Sequence, residues 1–185
     1  PARLLNDFTL AAGPGAALVN AGLVALIGVA LVRINGVRLS GPTVAAVFTM
    51  FGFGLFGKTP LNILPILLGV FIAARIAGNE FRSYILIALF GTAVGPLVSF
   101  VAVEMPFPAA LQIPLAALVG VVAGVLLPAV AMVMLRLHQG YNLYNVGLTA
   151  GFVSLFAAAI LFGGGNRLPA GDLWNDSPTL LLQLL

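Results

Sequence analysis

Gly15-Ala-Ala-Leu-Val-Asn20-Ala-Gly-Leu-Val-Ala25-Leu-Ile-Gly-Val-Ala30-Leu-Val-Arg33 carries no ionisable side chain until its last residue, and the charge before it is Asp7. A helix crossing a bilayer needs about 20 predominantly apolar residues. Pro14 and Gly15 suit a helix start, so the first helix is predicted over Gly15 to Ile34, with a turn at Asn35-Gly36. The rest of the chain is equally sparing with charge. Of its 185 residues 61% are hydrophobic and 7% charged, and the mean hydropathy is +1.15. A soluble domain carries roughly 25% charged residues. Too few charges remain to cover a water-facing surface, so the lipid bilayer is the expected partner for most of the exterior.

Working outward, charges and prolines act as punctuation. Ser40 is a natural N-cap with Pro42 in the first turn, and a second helix runs from there to about Phe56. After Gly57-Lys58-Thr59-Pro60, a third runs from about Leu61 to Ala77. Both are short for a full span, which fits tilted, broken or re-entrant segments. Gly78-Asn79-Glu80 precedes a fourth helix, about Ser83 to Val103, and Met105-Pro106-Phe107-Pro108 cannot continue it. The fifth covers about Ile113 to Leu137 with a kink expected at Pro128, and the sixth about Tyr141 to Phe162. The predicted fold class is an all-α integral membrane protein of about six transmembrane helices. Residues 1–162 form one polytopic helical domain. Residues 163–185 form a polar loop, with Arg167, Asp172 and Trp174, followed by the start of a further apolar segment. The start at Pro1 and the apolar end at Thr179 to Leu185 are expected of a piece of a longer protein.

The charge balance of +3 and pI near 10 invite a nucleic-acid reading, but the basic residues stand singly and form no track for phosphates. Their placement orients the chain instead. If all six segments span, Arg33, Arg38, Arg75, Arg82 and Arg136 share one side, and Arg3, Lys58 and Arg167 the other. The first set is expected to be cytoplasmic. With no cysteine, one histidine and five carboxylates, neither thiolate chemistry nor a dedicated metal site is expected. No triad, paired carboxylates or metal-hydrolase spacing is present, so no catalytic residue and no cofactor is assigned.

Gly52-Phe-Gly-Leu-Phe-Gly57-Lys58-Thr59 matches the phosphate-loop pattern letter for letter. That pattern works only between a buried strand and a solvent-facing helix. Here apolar segments flank it and Pro60 follows, so the match is read as accidental. Lys58 itself remains to be explained. At the bilayer centre a lysine costs around 2.5–3.5 kcal/mol on insertion scales. It either snorkels to the interface or faces a wet cavity, where Thr59, Asn62 and the free amides of the third helix would help it bind an anion or polar solute. Asn142, Asn145 and Thr149 share one face of the sixth helix, as either interhelical glue or the wall of a solute path. His138 and Glu104 are read as interfacial.

Gly91 with Gly95, Gly120 with Gly124, and Gly147 with Gly151 are each spaced four apart. Small residues at that spacing let helices approach in lipid, within one chain or across a dimer face. A weak internal repeat pairs Gly15, Leu18, Asn20, Gly22, Leu23 and Ala25 with Gly140, Leu143, Asn145, Gly147, Leu148 and Ala150. Five helices separate the two starts, and an odd number reverses orientation. The chain would then hold one unit of an inverted repeat and the start of a second, with Asn20 as a repeat counterpart of the solute-path residues.

Leu135 to Gly151, Asn20-Ala-Gly-Leu-Val24, Phe53-Gly-Leu-Phe-Gly-Lys58, Asn62 to Gly69 and Ala88-Leu-Phe-Gly-Thr-Ala93 resemble an uncharacterised family of bacterial polytopic inner-membrane proteins, a domain-of-unknown-function class. The resemblance covers roughly Leu4 to Phe162 and implies a multi-pass protein of the inner membrane, with no catalytic or binding residue attached. A looser fold analogy is to urea-transporter-type channels, built from two inverted five-helix units. The expected function is a channel or transporter, or half of one, for a small polar or anionic solute, completed by the rest of a longer chain or a second copy. Two alternatives stand beside it. One is a non-transporting structural subunit of a larger membrane complex. The other is a solute-capturing subunit of a vitamin importer, for which Ala17 and Ala21 would mark a docking face.

Overall fold

The computed structural model describes residues 7–139, 141 and 145–163. Asn142, Gly140 and the segment with Arg167, Asp172 and Trp174 lie outside them. The described residues are helical throughout, with no strand. The order is α1 (Phe8–Ala12), α2 (Pro14–Ile34), α3 (Gly41–Gly54), α4 (Pro60–Ile76), a 3-10 turn (Phe81–Tyr84), α5 (Ile85–Gly91), a second 3-10 turn (Thr92–Val94), α6 (Gly95–Val103), α7 (Ala109–His138) and α8 (Asn145–Gly163).

The helix starts follow from the capping chemistry. The Ser40 backbone N–H donates to Thr43 Oγ1 at 2.7 Å, and Thr59 and Asn62 cap α4 reciprocally. Three stretches are long and apolar enough to cross a membrane: Pro14–Ile34, Phe81–Val103 and Ala109–His138. Gly41–Gly54, Pro60–Ile76 and Asn145–Leu161 are apolar but shorter, so six full spans are not established by length. Large apolar side chains point outward on every long element, among them Leu26, Leu64, Leu118, Phe156 and Ile160.

The core is centred on α4 and α7, whose backbones touch. A Cβ on Gly69 would lie 2.2 Å from the Val121 carbonyl oxygen, and one on Gly124 would lie 2.3 Å from that of Ile66. Around this crossing Ile63, Ile66, Val70, Leu89 and Leu127 are buried. In lipid no hydrophobic drive pulls helices together, so such close van der Waals approach holds the bundle.

Three expectations are refined. The fourth helix is one apolar stretch, Phe81–Val103, but its regular α geometry is interrupted by a 3-10 turn at Thr92–Val94. Pro96 lacks an N–H and its ring crowds the carbonyl one turn back, while Thr92 Oγ1 donates to the Leu89 carbonyl. The fifth helix starts earlier, just after Pro108, and absorbs Pro114 as well as Pro128. Among the glycine pairs, Gly91 packs on Leu127, Gly95 on Asn62 and Gly120 on Pro65 and Val98. Gly147 and Gly151, however, are exposed, and a Cβ on Gly151 would meet nothing within 4 Å. They line a groove that separates α8 from Thr49 and Phe53 of α3.

Candidate functional site

Between α3 and α4 the chain turns sharply, with Gly57 at φ 131°, a conformation disfavoured for residues bearing a Cβ. The turn is stitched from three sides. Within it, the Lys58 N–H donates to the Phe53 carbonyl at 2.9 Å. From α2, Asn20 Nδ2 donates to the carbonyls of Gly54 and Lys58, both at 2.7 Å. Such close approach requires glycine at 54, where a Cβ would lie 2.6 Å from Ala21 Cα. From above, α1 adds a bond from the Phe8 N–H to the Leu55 carbonyl, 3.0 Å.

Asn62 ties this turn to the second helix interruption. Its Nδ2 donates to the Gly57 carbonyl at 2.8 Å and to Ser99 Oγ of α6 at 2.9 Å, and its Oδ1 accepts from the Thr59 N–H at 2.9 Å. A Cβ on Gly95, one residue beyond the α5–α6 break, would sit 2.7 Å from Asn62 Oδ1. The α3–α4 turn and the helix that follows the 3-10 turn therefore meet at one amide side chain. Both amide hydrogens of Asn20 and of Asn62 are used, so neither residue is free to move alone.

Inside this frame Lys58 is completely buried, and its Nζ has no hydrogen-bond partner. It does not snorkel. Its nearest compensation is the Phe53 ring, whose centroid lies 5.1 Å away, a cation–π contact of about 2 kcal/mol when desolvated. That is small beside the several kcal/mol needed to bury an ammonium. Grooves flank the site on two sides. One, of about 350 Å³, runs past Phe53, Thr49, Phe90, Pro96 and Ser154. The other, of about 710 Å³, reaches Thr59, Asn62 and Ser99 from between α4, α6 and α7. The arrangement offers one buried, unpartnered amine with neutral polar groups beside it, which suits an anion when the amine is protonated.

Of the residues expected to line a solute path, Asn20, Lys58, Thr59 and Asn62 come together here. Asn145 and Thr149 do not. Asn62 lies level with Ala116 and Ala117 of α7, whereas Phe152, one turn beyond Thr149, lies level with Ala129 and Val133. At 1.5 Å per residue the two levels are about 20 Å apart. Asn145 begins α8 and contacts His138 Nε2 at 2.9 Å, and Thr149 is buried with its hydroxyl donating to the Asn145 carbonyl. Asn142 is outside the described residues. Ser99 and Phe53 belong to the site and escaped sequence reading, because an isolated serine or phenylalanine in an apolar helix gives no signal. No group of three or more potential metal ligands forms among the described residues.

The phosphate-loop letters fold into this turn with their amides already committed. The N–H groups of Leu55, Phe56, Lys58 and Thr59 donate to Gly52, Phe53, Phe53 and Asn62. Millimolar ATP or GTP should therefore leave the melting temperature unchanged. A saturable shift abolished by Lys58→Ala would contradict this.

A family model described as a protein of unknown function, DUF1576, matches residues 1–162. No curated protein matches the chain, and no solved structure does.

Proposed function

The chain belongs to the DUF1576 family, and from that premise we propose that it is a multi-pass bacterial inner-membrane protein that conducts or carries a small anionic or polar solute. The observation that carries the reading is the fully buried, unpartnered Lys58 Nζ in the turn between α3 and α4. Burying an unpaired charge is strongly unfavourable, and ionisable groups inside membrane bundles mark solute and ion pathways. On this reading the solute's negative charge meets Lys58 when the site opens, and Thr59, Asn62 and Ser99 hold its polar atoms.

The inverted-repeat proposal goes with it. Taking α5 and α6 as one interrupted helix, α2 to α7 supply five segments and α8 begins the next unit. Asn145 would then be the counterpart of Asn20, and the remainder of a longer chain or a second copy would complete the path. The docking face suggested for an importer subunit is covered within this chain: Ala17 and Ala21 are buried, and Ala21 is pressed against Gly54.

The test is uptake. Purified protein in liposomes should accelerate entry of at least one member of a panel of small anions and neutral polar solutes over protein-free vesicles. Folded protein that moves none of them would favour the structural-subunit reading.

A further inference from the structure

We propose that the opposite end of the bundle holds a binding site for the phosphate of an anionic phospholipid headgroup, with Arg75 and Arg82 as its ligands. The site rests on the membrane-spanning part of the reading above and not on transport.

A pocket of about 580 Å³ opens where α2 and α4 end and the Phe81–Tyr84 turn begins, and Arg75, Arg82, Glu80, Asn35 and Asn79 line it. Arg75 is pre-positioned. Its guanidinium stacks over the Phe71 ring at 5.0 Å, and Phe71 is itself braced edge-on by Phe81 at 5.4 Å. A guanidinium held over a ring loses little freedom when it binds a phosphate through two parallel hydrogen bonds. Asn35 Nδ2 donates to the Leu31 carbonyl and Asn79 Nδ2 to Tyr84 Oη, so each keeps one amide hydrogen for a ligand. The guanidinium groups carry the charge, and they favour an anion. Glu80 contacts Arg82 Nε, but that pair is 64% and 70% exposed, so water and salt weaken it and a phosphate can compete. The surrounding end of the bundle is basic: Arg33, Arg38 and Arg136 also lie there, with Glu80 as the only acidic residue among those described.

A free phosphate would be satisfied by charge alone. A lipid also needs apolar surface beside the charge, and the pocket has it. Ile34 and Ile76, next to Asn35 and Arg75 in sequence, are 80% and 77% exposed. Acyl chains would run from the pocket down the outward apolar faces of α2 and α4. Basic pockets between membrane helices bind anionic headgroups in this way.

The experiment is melting of the purified protein in detergent with added lipid. Phosphatidylglycerol should raise the melting temperature by several degrees. Phosphatidylcholine, inorganic phosphate and glycerol phosphate at millimolar levels should not. The double variant Arg75→Gln/Arg82→Gln should lose most of the phosphatidylglycerol shift, Arg136→Gln should keep it, and Glu80→Gln should enlarge it. An equal shift from phosphatidylcholine would overturn the site. So would a full shift in the double variant, or an unchanged shift in Glu80→Gln should the double variant fail to fold. A matching shift from inorganic phosphate would mean that a free anion, not a lipid, is the ligand.

Discussion

Gly69→Ala should lower the melting temperature of the protein, and Gly151→Ala should not lower it. The added Cβ at position 69 would stand 2.2 Å from Val121 O, 2.8 Å from Gly124 Cα and 2.9 Å from Val125 N. All three are backbone atoms of α7, so no side chain can rotate away and the two helices must separate. Separation forfeits contacts along the whole α4–α7 seam, including the reciprocal approach of Gly124 to Ile66. Overpacked cores lose about 1–3 kcal/mol, and with only backbone to yield the cost should reach about 3 kcal/mol, the top of that range. At Gly151 the same methyl meets nothing within 4 Å, and replacing glycine inside a helix removes unfolded-state freedom worth about 0.5–1 kcal/mol. Melting of both variants in detergent, followed by circular dichroism, decides the matter. Equal melting temperatures would mean that the α4–α7 contact does not hold the bundle.

Lys58→Met should separate function from stability in the opposite sense. Methionine fills similar space without charge, so the variant no longer buries an ammonium that has no hydrogen-bond partner. It does give up the Phe53 contact, about 2 kcal/mol when desolvated. Because desolvation of an unpaired charge costs several kcal/mol, the variant should melt at or above the wild-type temperature. Anion uptake into liposomes should meanwhile fall at least about tenfold, the effect of losing roughly 1.4 kcal/mol of binding, while any neutral-solute uptake persists. A stabilising loss of function is expected of a site residue and not of a packing residue. If Lys58→Met instead lowers melting and leaves uptake unchanged, the lysine is structural and the solute-site proposal fails.

Much of the helical plan was legible in the chain. Ser40 with Pro42 and Thr59 with Pro60 are local capping signals, and they place the starts of α3 and α4 within a residue or two. Lys58, Thr59 and Asn62 were legible as a site because a cation and an amide stand out in so apolar a stretch. The break at Thr92–Val94 was not, although Pro96 carries its cause. A proline one turn beyond a glycine is tolerated in many continuous helices, and its outcome depends on what packs at the freed carbonyls.

Composition and local pattern alone determined that this chain is helical, that its exterior is apolar, and where its helices begin, because charge scarcity and capping act within a few residues of sequence. Tertiary structure decided which polar residues meet. Asn20 and Asn62 are far from Ser99 along the chain, yet the hydrogen bonds that join the α3–α4 turn to α2 and α6 run through them. Asn145 and Thr149, equally conspicuous as letters, end about 20 Å away along α7. The glycines follow the same division. Four-residue spacing marked Gly147 and Gly151 as readily as Gly120 and Gly124, but Gly120 meets the Pro65 and Val98 side chains and Gly124 the Ile66 backbone, whereas a Cβ on Gly151 meets nothing. Spacing fixes which face of a helix a residue occupies; what lies opposite that face is set by the packing of every other helix.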